Sequence, residues 1–240
     1  MFKNEPDKTT KGEATRRRLM DQAMKTFLEK GFQGTTLRDL SKATGLSLGS
    51  FYYYFPSKES IIIAFYEENF DSFREEAIAS FGREKKFEKL FEGVLETRIR
   101  TMTPEREIFL QLSSSATDPE SPLSPFSPTT VDVRNATIGI FYELAQRSDV
   151  KAPRAIAPYL PHLLWFSMMG VILFWTFDRS PGQERTHKLI PILARNTARL
   201  LRALALPIVG RHILPFKEIL SLFPELKPYE PTKLNIGDQP

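Results

Sequence analysis

The sequence predicts an all-α fold: an N-terminal three-helix unit of helix-turn-helix type joined to a larger helical body, about nine or ten helices in all. Three observations predict it. Apolar residues recur at helical spacing from Leu19 to Leu204, and no run alternates with the period of a strand. Helix start and stop residues punctuate that pattern at regular intervals. The loops between are short, except for a Ser/Pro-rich stretch near the middle.

Residues 1–13 are polar, carry Pro6 and Gly12, and show no apolar periodicity, so they are expected to be a disordered arm. Thr15 is the expected cap of a first helix that buries Leu19, Met20, Ala23, Met24, Phe27 and Leu28 and stops at Gly31. Thr36 starts a second helix, with Asp39 in place to complete a capping box, and Gly45 ends it. Ser47 caps a third, which Pro56 terminates. Ser57 caps a fourth, running from Lys58 to about Ser80.

Phe87, Leu90, Phe91, Val94 and Leu95 mark a fifth helix, and Pro104 opens a sixth with Ile108, Phe109 and Leu112 inside. Ser113–Thr130 is so rich in Ser and Pro that a loop is expected throughout. The seventh helix is Val131–Gln146, and Ala155–Phe177 holds the eighth. Ser180-Pro181-Gly182-Gln183 offers a cap, a first-turn proline and a third-position glutamine for a ninth. Beyond Pro207 prolines recur, with one short helix expected around Phe216–Phe223. The expected domains are therefore the arm 1–13, a helix-turn-helix domain 14–60, a helical domain 61–206 and an extension 207–240.

Composition narrows the chemistry. The absence of cysteine from the sequence removes thiol catalysis, disulfides and zinc-thiolate sites, and fits a reducing cytoplasm. The N-terminal residues lack the apolar run of a secretory signal. Residues 1–60 hold eleven Lys/Arg against seven Asp/Glu, whereas residues 61–240 hold 22 of each. The whole positive excess thus sits in the first quarter, which points to an anionic partner there. Ala155–Phe177 carries no formal charge and is long enough to span a bilayer. Pro158, Pro161 and His162 interrupt its first half, and the strongly apolar Leu163–Phe177 suits a helix buried on all sides of a soluble protein.

The stretch GLSLGSFYYYFPSKE (Gly45–Glu59) carries the functional signal. At roughly 100° per residue, Phe55 falls about 40° and Leu48 about 60° from Phe51, making an inward stripe. Tyr53 lies near 200° on the same wheel, with Tyr52 and Tyr54 at about 100° and 300°, so the three hydroxyls are expected outside. A short turn around Gly45 joins the second and third helices as a helix-turn-helix, whose second helix fits a major groove about 12 Å wide. Gly49 and Ser50 are small enough for close backbone approach, and tyrosine can reach phosphates or thymine methyls. Thr35, Thr36 and Ser47 stand near helix N-termini, which favour anions. Lys58 adds a charge on the same side, and Arg16, Arg17 and Arg18 could grip a backbone or minor groove. The alternative is a plain three-helix subdomain with solvated tyrosines.

Thr15–Ile61 resembles the DNA-binding domain of the TetR family of bacterial transcriptional regulators. The likeness runs through Phe27, Gly31-Phe32, Thr35-Thr36, Gly45, Ser47, Gly49, Tyr52, Phe55 and Ser57-Lys58-Glu59. The resemblance implies that Thr36, Tyr52, Tyr54 and Lys58 meet phosphates, and that Ser47, Leu48, Gly49, Ser50 and Tyr53 meet bases or the groove wall. Leu48 stands where many members have lysine, and Tyr54 where histidine is frequent. Leu48 can therefore serve the groove or the core. The resemblance also implies a homodimer formed largely by the last two long helices, a double-stranded operator as partner, and a small effector that shifts a two-state dimer. Repression is the usual family outcome, with activation or a protein-interaction role as alternatives.

A pocket in the larger domain is expected among Phe91, Phe109, Phe141, Tyr142, Trp165, Phe166, Met169 and Phe174, a lining suited to an apolar or aromatic effector, or else plain core packing. His162 either orients that ligand or satisfies a carbonyl. No His/Asp/Glu group has metal spacing, no cofactor motif is present, and neither a phosphate loop nor a nucleophile elbow suggests an enzyme. Glu67 and Glu68 fall on a helix surface.

Overall fold

The computed structural model describes residues 8–206 and 229–230. Residues 1–7 of the expected arm 1–13 and the short helix around Phe216–Phe223 lie outside the described residues, whereas 8–13, expected as arm, are helical. The described residues contain nine α-helices: α1 Lys8–Lys30, α2 Leu37–Thr44, α3 Leu48–Tyr54, α4 Lys58–Phe81, α5 Phe87–Met102, α6 Arg106–Thr117, α7 Val131–Arg147, α8 Leu160–Phe177 and α9 Glu184–Leu204. The chain divides into two compact units. The first comprises Met1–Asn69 and Glu105–Val131, the second Phe70–Pro104 and Asp132–Pro240. α4 passes through both.

In the first unit, α1, α2, α3, the first half of α4 and α6 surround one core. Leu19, Ala23, Phe27, Leu40, Phe51, Phe55, Ile61 and Ile62 are its centre, and Ile108 and Leu112 join it from α6. Burial of Ile61, Ile62 and Phe65 extends this unit beyond the expected boundary at residue 60. α6 is fastened to α1 and to the turn after it by polar contacts as well. Gln33 Nε2 donates to Ser115 Oγ at 3.2 Å, and Gln111 Nε2 to the Leu28 carbonyl at 3.4 Å.

α1 begins already at Lys8 rather than after Thr15. Thr15 is not its cap: the hydroxyl donates to the Lys11 carbonyl at 2.9 Å, a bond made inside the helix. Gly31 ends α1 with a φ of 79°, a conformation that glycine adopts without the Cβ penalty. α6 likewise outruns expectation, continuing to Thr117. Ser113 and Thr117 donate their hydroxyls to carbonyls of the preceding turn, so these side chains are satisfied within the helix.

In the second unit, α5 and α9 pack along each other and α8 packs on both. Phe73, Phe81, Phe87, Phe91, Phe141 and Trp175 are fully buried. Distant polar groups finish the helix ends. Asp149 Oδ1 accepts from the Phe87 amide at 2.9 Å, capping α5 from the loop after α7. Its Oδ2 and Glu88 both accept from Arg202 of α9, at 3.2 and 3.1 Å.

The start of α9 differs from the expected Ser-Pro-Gly-Gln helix opening. Pro181–Gln183 is a single 3-10 turn, and Gly182 and Gln183 take left-handed φ of 58° and 55°. Ser180 still caps the helix, its Oγ accepting from the Arg185 amide at 3.1 Å, and Asp178 is a second cap. Its carboxylate accepts from the Ser180 amide and hydroxyl and from the Thr186 amide and hydroxyl, at 2.7–2.9 Å. Burial alone would push this carboxyl up, but those four donors outweigh it and hold it well below the usual carboxylate range.

α8 is long and apolar enough to cross a bilayer, yet one side of it is committed to protein. Leu164, Trp165, Met168, Val171 and Trp175 are buried, while Phe166, Gly170, Leu173, Phe174 and Phe177 form an exposed stripe at i, i+4, i+7, i+8 and i+11. α9 carries a second apolar exposure at Ile192 and Leu200.

Candidate nucleic-acid interface

The turn between α2 and α3 is built as its residues require. Thr36 and Asp39 form a reciprocal capping box: Thr36 Oγ1 accepts from the Asp39 amide at 3.2 Å, and Asp39 Oδ2 accepts from the Thr36 amide at 3.0 Å. Hydrogen bonds from the Thr36 hydroxyl and amide, assisted by Lys30 at 3.6 Å, hold the Asp39 carboxyl below its usual range. Gly45 closes α2 in a left-handed conformation, φ 70°, and its amide returns to carbonyls of the last turn. Ser47 then caps α3, its Oγ accepting from the Ser50 amide at 3.1 Å.

α3 is held by its phenylalanines. Phe51 and Phe55 are fully buried, with ring centroids 6.1 Å apart. The Arg16 guanidinium stacks over the Phe55 ring at 5.1 Å. Gly49, Ser50, Tyr52 and Tyr53 face outward; Tyr53 is 84% exposed and Tyr52 49%. A Cβ built on Gly49 meets nothing within 4 Å, so nothing within the chain fills the space above it.

Four expected site residues are placed differently from a simple outward set. Thr35 is buried, its hydroxyl donating to the Gly31 carbonyl at 2.7 Å, so it serves the end of α1 rather than an outside anion. Tyr54 is partly buried against the core, because at roughly 60° from Phe51 its ring can lean onto the inward stripe. It meets Tyr53 edge-on with centroids 5.2 Å apart. Leu48 is half-buried and lies outside the cluster that Phe51 and Phe55 join. Lys58 is folded inward: its ammonium donates to the Phe32 and Gln33 carbonyls at 2.9 and 3.4 Å and sits 4.5 Å from the centre of the Phe32 ring.

The expected pocket residues do not form one group. Phe109 belongs to the first unit, where it lies against Phe65 and Tyr66, the latter stacked at 6.2 Å. Phe166 and Phe174 are on the exposed stripe of α8. Phe91 and Phe141 are fully buried and pack edge-to-face at 6.0 Å, which is core. Tyr142, His162, Trp165 and Met169 remain. Tyr229 from the C-terminal extension lies 5.1 Å from the Tyr142 ring and 6.1 Å from His162, and its amide donates to the Pro158 carbonyl at 2.9 Å. Burial first, then the Arg134 guanidinium, pushes the His162 imidazole below its ordinary value, and its Nδ1 is buried without a hydrogen-bond partner among the described residues. Tyr229 was not legible beforehand, since no periodicity tied the extension to any helix. Among the described residues no group of His, Asp and Glu could hold a metal ion.

A short capped helix, anchored by two phenylalanines and presenting glycine, serine and tyrosine outward beside a tight turn, defines a helix-turn-helix DNA-binding regulator. Family comparisons agree at both ends of the chain. The family model for bacterial regulatory proteins of the tetR family matches residues 19–65, and that for the tetracyclin repressor-like C-terminal domain matches residues 90–211. The chain belongs to the TetR family of bacterial transcriptional regulators. The HTH-type transcriptional repressor KstR2 of Rhodococcus jostii is 40% identical over 75 residues, covering 29% of this chain and 37% of that protein. The IcaR negative regulator of the biofilm operon icaADBC of Staphylococcus aureus is 46% identical over 44 residues, covering 18% and 24%. The chain thus spans well under half the length of these relatives. In fold it is similar to PfmR of Thermus thermophilus (TM-score 0.53, 18% identity, 74% of this chain and 97% of that one). It is also similar to FadR of Bacillus subtilis, solved in complex with stearoyl-CoA (TM-score 0.57, 13% identity, 74% and 96%).

Proposed function

We propose that this regulator is a cytoplasmic repressor that binds a palindromic operator as a homodimer and releases it when a small apolar or aromatic effector binds. The observation that carries the reading is the outer face of α3, where Gly49, Ser50, Tyr52 and Tyr53 are exposed on a helix whose opposite side is locked in the core. Tyr53 and Ser50 are assigned to the bases. Thr36, Ser47 and Tyr52 are assigned to phosphates, with Lys58 acting mainly by fixing the turn after α1. The basic balance of the first 60 residues supplies the non-specific attraction. Repression is supported by the relatives, which are named as a repressor and a negative regulator.

Dimerisation is supported by the exposed stripe on α8, whose Phe166, Leu173, Phe174 and Phe177 are costly to leave in water. Gly170 lies in that stripe with open space where a Cβ would stand, as suits a close helix crossing. The effector site is assigned to Tyr142, His162, Trp165 and Met169 in the second unit, where His162 Nδ1, without a partner among the described residues, can meet a polar atom of an otherwise apolar ligand. A neutral imidazole there suits an uncharged hydrogen-bonding group.

Titrating duplexes from the DNA flanking its own gene tests the reading: one sequence should be preferred, with affinity falling steeply as salt rises. A thermal-shift screen of apolar compounds, with hits tested for operator release, then tests the effector assignment. Hits that stabilise wild type and His162→Ala equally would place the site elsewhere.

A further inference from the structure

Tyr229 already occupies part of the effector site assigned above. Its ring lies 5.1 Å from that of Tyr142 on α7, tilted by 38°, and meets the His162 imidazole of α8 edge-on at 6.1 Å. The Tyr229 amide fixes it there by donating to the Pro158 carbonyl at 2.9 Å. Pro161, three residues after that carbonyl, has no N–H with which to close a turn on it. The family model of the C-terminal domain stops at residue 211, so this contact lies outside the part of the chain that the model matches.

The ring is half-buried. Burial first, then Tyr142 and Glu143, pushes its hydroxyl above the ordinary value, so Tyr229 presents a neutral phenol. The imidazole it covers is held neutral by burial and by the nearby Arg134 guanidinium. One atom is left out of this fit. His162 Nδ1 is buried and has no hydrogen bond among the described residues, so neither tyrosine hydroxyl reaches it. A molecule that repeats the aromatic ring and sets a polar atom against Nδ1 gains the ring contacts and the missing bond together.

We infer that Tyr229 is the chain's own stand-in for the effector, and that the effector is an aromatic ring bearing a hydrogen-bonding group, which takes the place of Tyr229 against Tyr142 and His162. The inference rests on the effector reading above and narrows its ligand class. An aliphatic chain could fill the same space but could not make the tilted and edge-on ring contacts. The occupant also sets a threshold. A site vacant about a tenth of the time or less binds its ligand about tenfold or more weakly than the same site left empty.

The test uses the full chain and p-cresol, the tyrosine side chain as a free molecule, followed by the ring-proton NMR signals of the three histidines. His162→Ala assigns its signal, and His187, exposed and paired with Glu96, is the internal control. p-Cresol should move the His162 signal of Tyr229→Ala at about a tenth of the concentration that wild type needs, and leave His187 unmoved. Tyr229→Phe keeps the ring and should behave as wild type. 4-Methylcyclohexanol, the saturated analogue, should bind Tyr229→Ala several-fold more weakly than p-cresol. Should Tyr229→Ala unfold, Tyr229→Leu takes its place, keeping apolar bulk without a ring. Equal p-cresol affinity in wild type and the ringless variant, no binding to either, or equal affinity for the saturated analogue overturns the inference. If p-cresol behaves as stated but compounds that release the operator are indifferent to His162→Ala, the effector reading itself fails, and the inference with it.

Discussion

At the scale of single residues, the recognition helix separates anchors from contacts. Phe51→Ala is expected to destabilise the first unit by roughly 3–5 kcal/mol in chemical denaturation, because it empties a fully buried site. Tyr53→Ala should leave the unfolding midpoint unchanged and alter sequence preference, since that ring is largely in solvent. Equal loss on matched and mismatched duplexes would contradict its assignment to bases. Lys58→Ala should do something different from a surface phosphate contact. It removes a hydrogen bond to the Phe32 carbonyl and is expected to cost about 1 kcal/mol of stability as well as affinity. The helical wheel separated Tyr53 from Phe51 and Phe55 correctly because those three lie far from any boundary between faces. Tyr54 lies at such a boundary, where side-chain tilt decides burial, and is partly buried. The inward fold of Lys58 could not be read at all, since its carbonyl partners are 25 and 26 residues away.

At the scale of elements, caps were the most legible feature and also the source of the errors. Thr36, Gly45, Ser47 and Ser57 act as their residue types predict, because each bond they make is local. Thr36→Ala should cost about 1 kcal/mol through loss of the box that starts α2, read as a lowered denaturation midpoint. Gly182 and Gln183 turn left-handed and postpone α9 until Glu184, so Ser180 caps it from further back, accepting from the Arg185 amide, and Asp178 shares the task. The first turns of α1 were missed for lack of an apolar face, and the end of α6 because serine reads as loop. Asp178 gives the pH prediction. A carboxyl held below its unfolded value stabilises fully above that value, and the stability is lost as pH falls through the folded one. Asp178→Asn should therefore lower stability at pH 7 and flatten its decline below about pH 4, as followed by thermal melts across pH. An unchanged acid limb would show that other carboxylates control it.

At the scale of the whole molecule, the exposed stripe on α8 and the outer face of α3 make linked claims. Phe174→Glu places a charge on the stripe without disturbing buried packing, and sedimentation should then show a monomer. Such a monomer should bind a full palindrome no better than a half-site. The all-α class and the capped helix-turn-helix with the exposed outer face of α3 were open to sequence reading because periodicity and caps are local signals. The grouping of α6 with the first unit was not, since it depends on Ile108 and Leu112 meeting a core formed far earlier in the chain. The fate of the expected pocket residues was the least legible, because aromatic residues at helical spacing look alike whether they pack in the core, as Phe91 and Phe141 do, or stand exposed, as Phe166 and Phe174 do. The central claim is sequence-selective DNA binding through α3. Its most direct measurement is a salt-resolved titration of wild type and Tyr53→Ala against the DNA flanking the gene and a scrambled duplex. The account predicts a marked preference of wild type for one flanking sequence, steep salt dependence, and loss of that preference in Tyr53→Ala at unchanged stability. Equal affinity of wild type for flanking and scrambled DNA would contradict it.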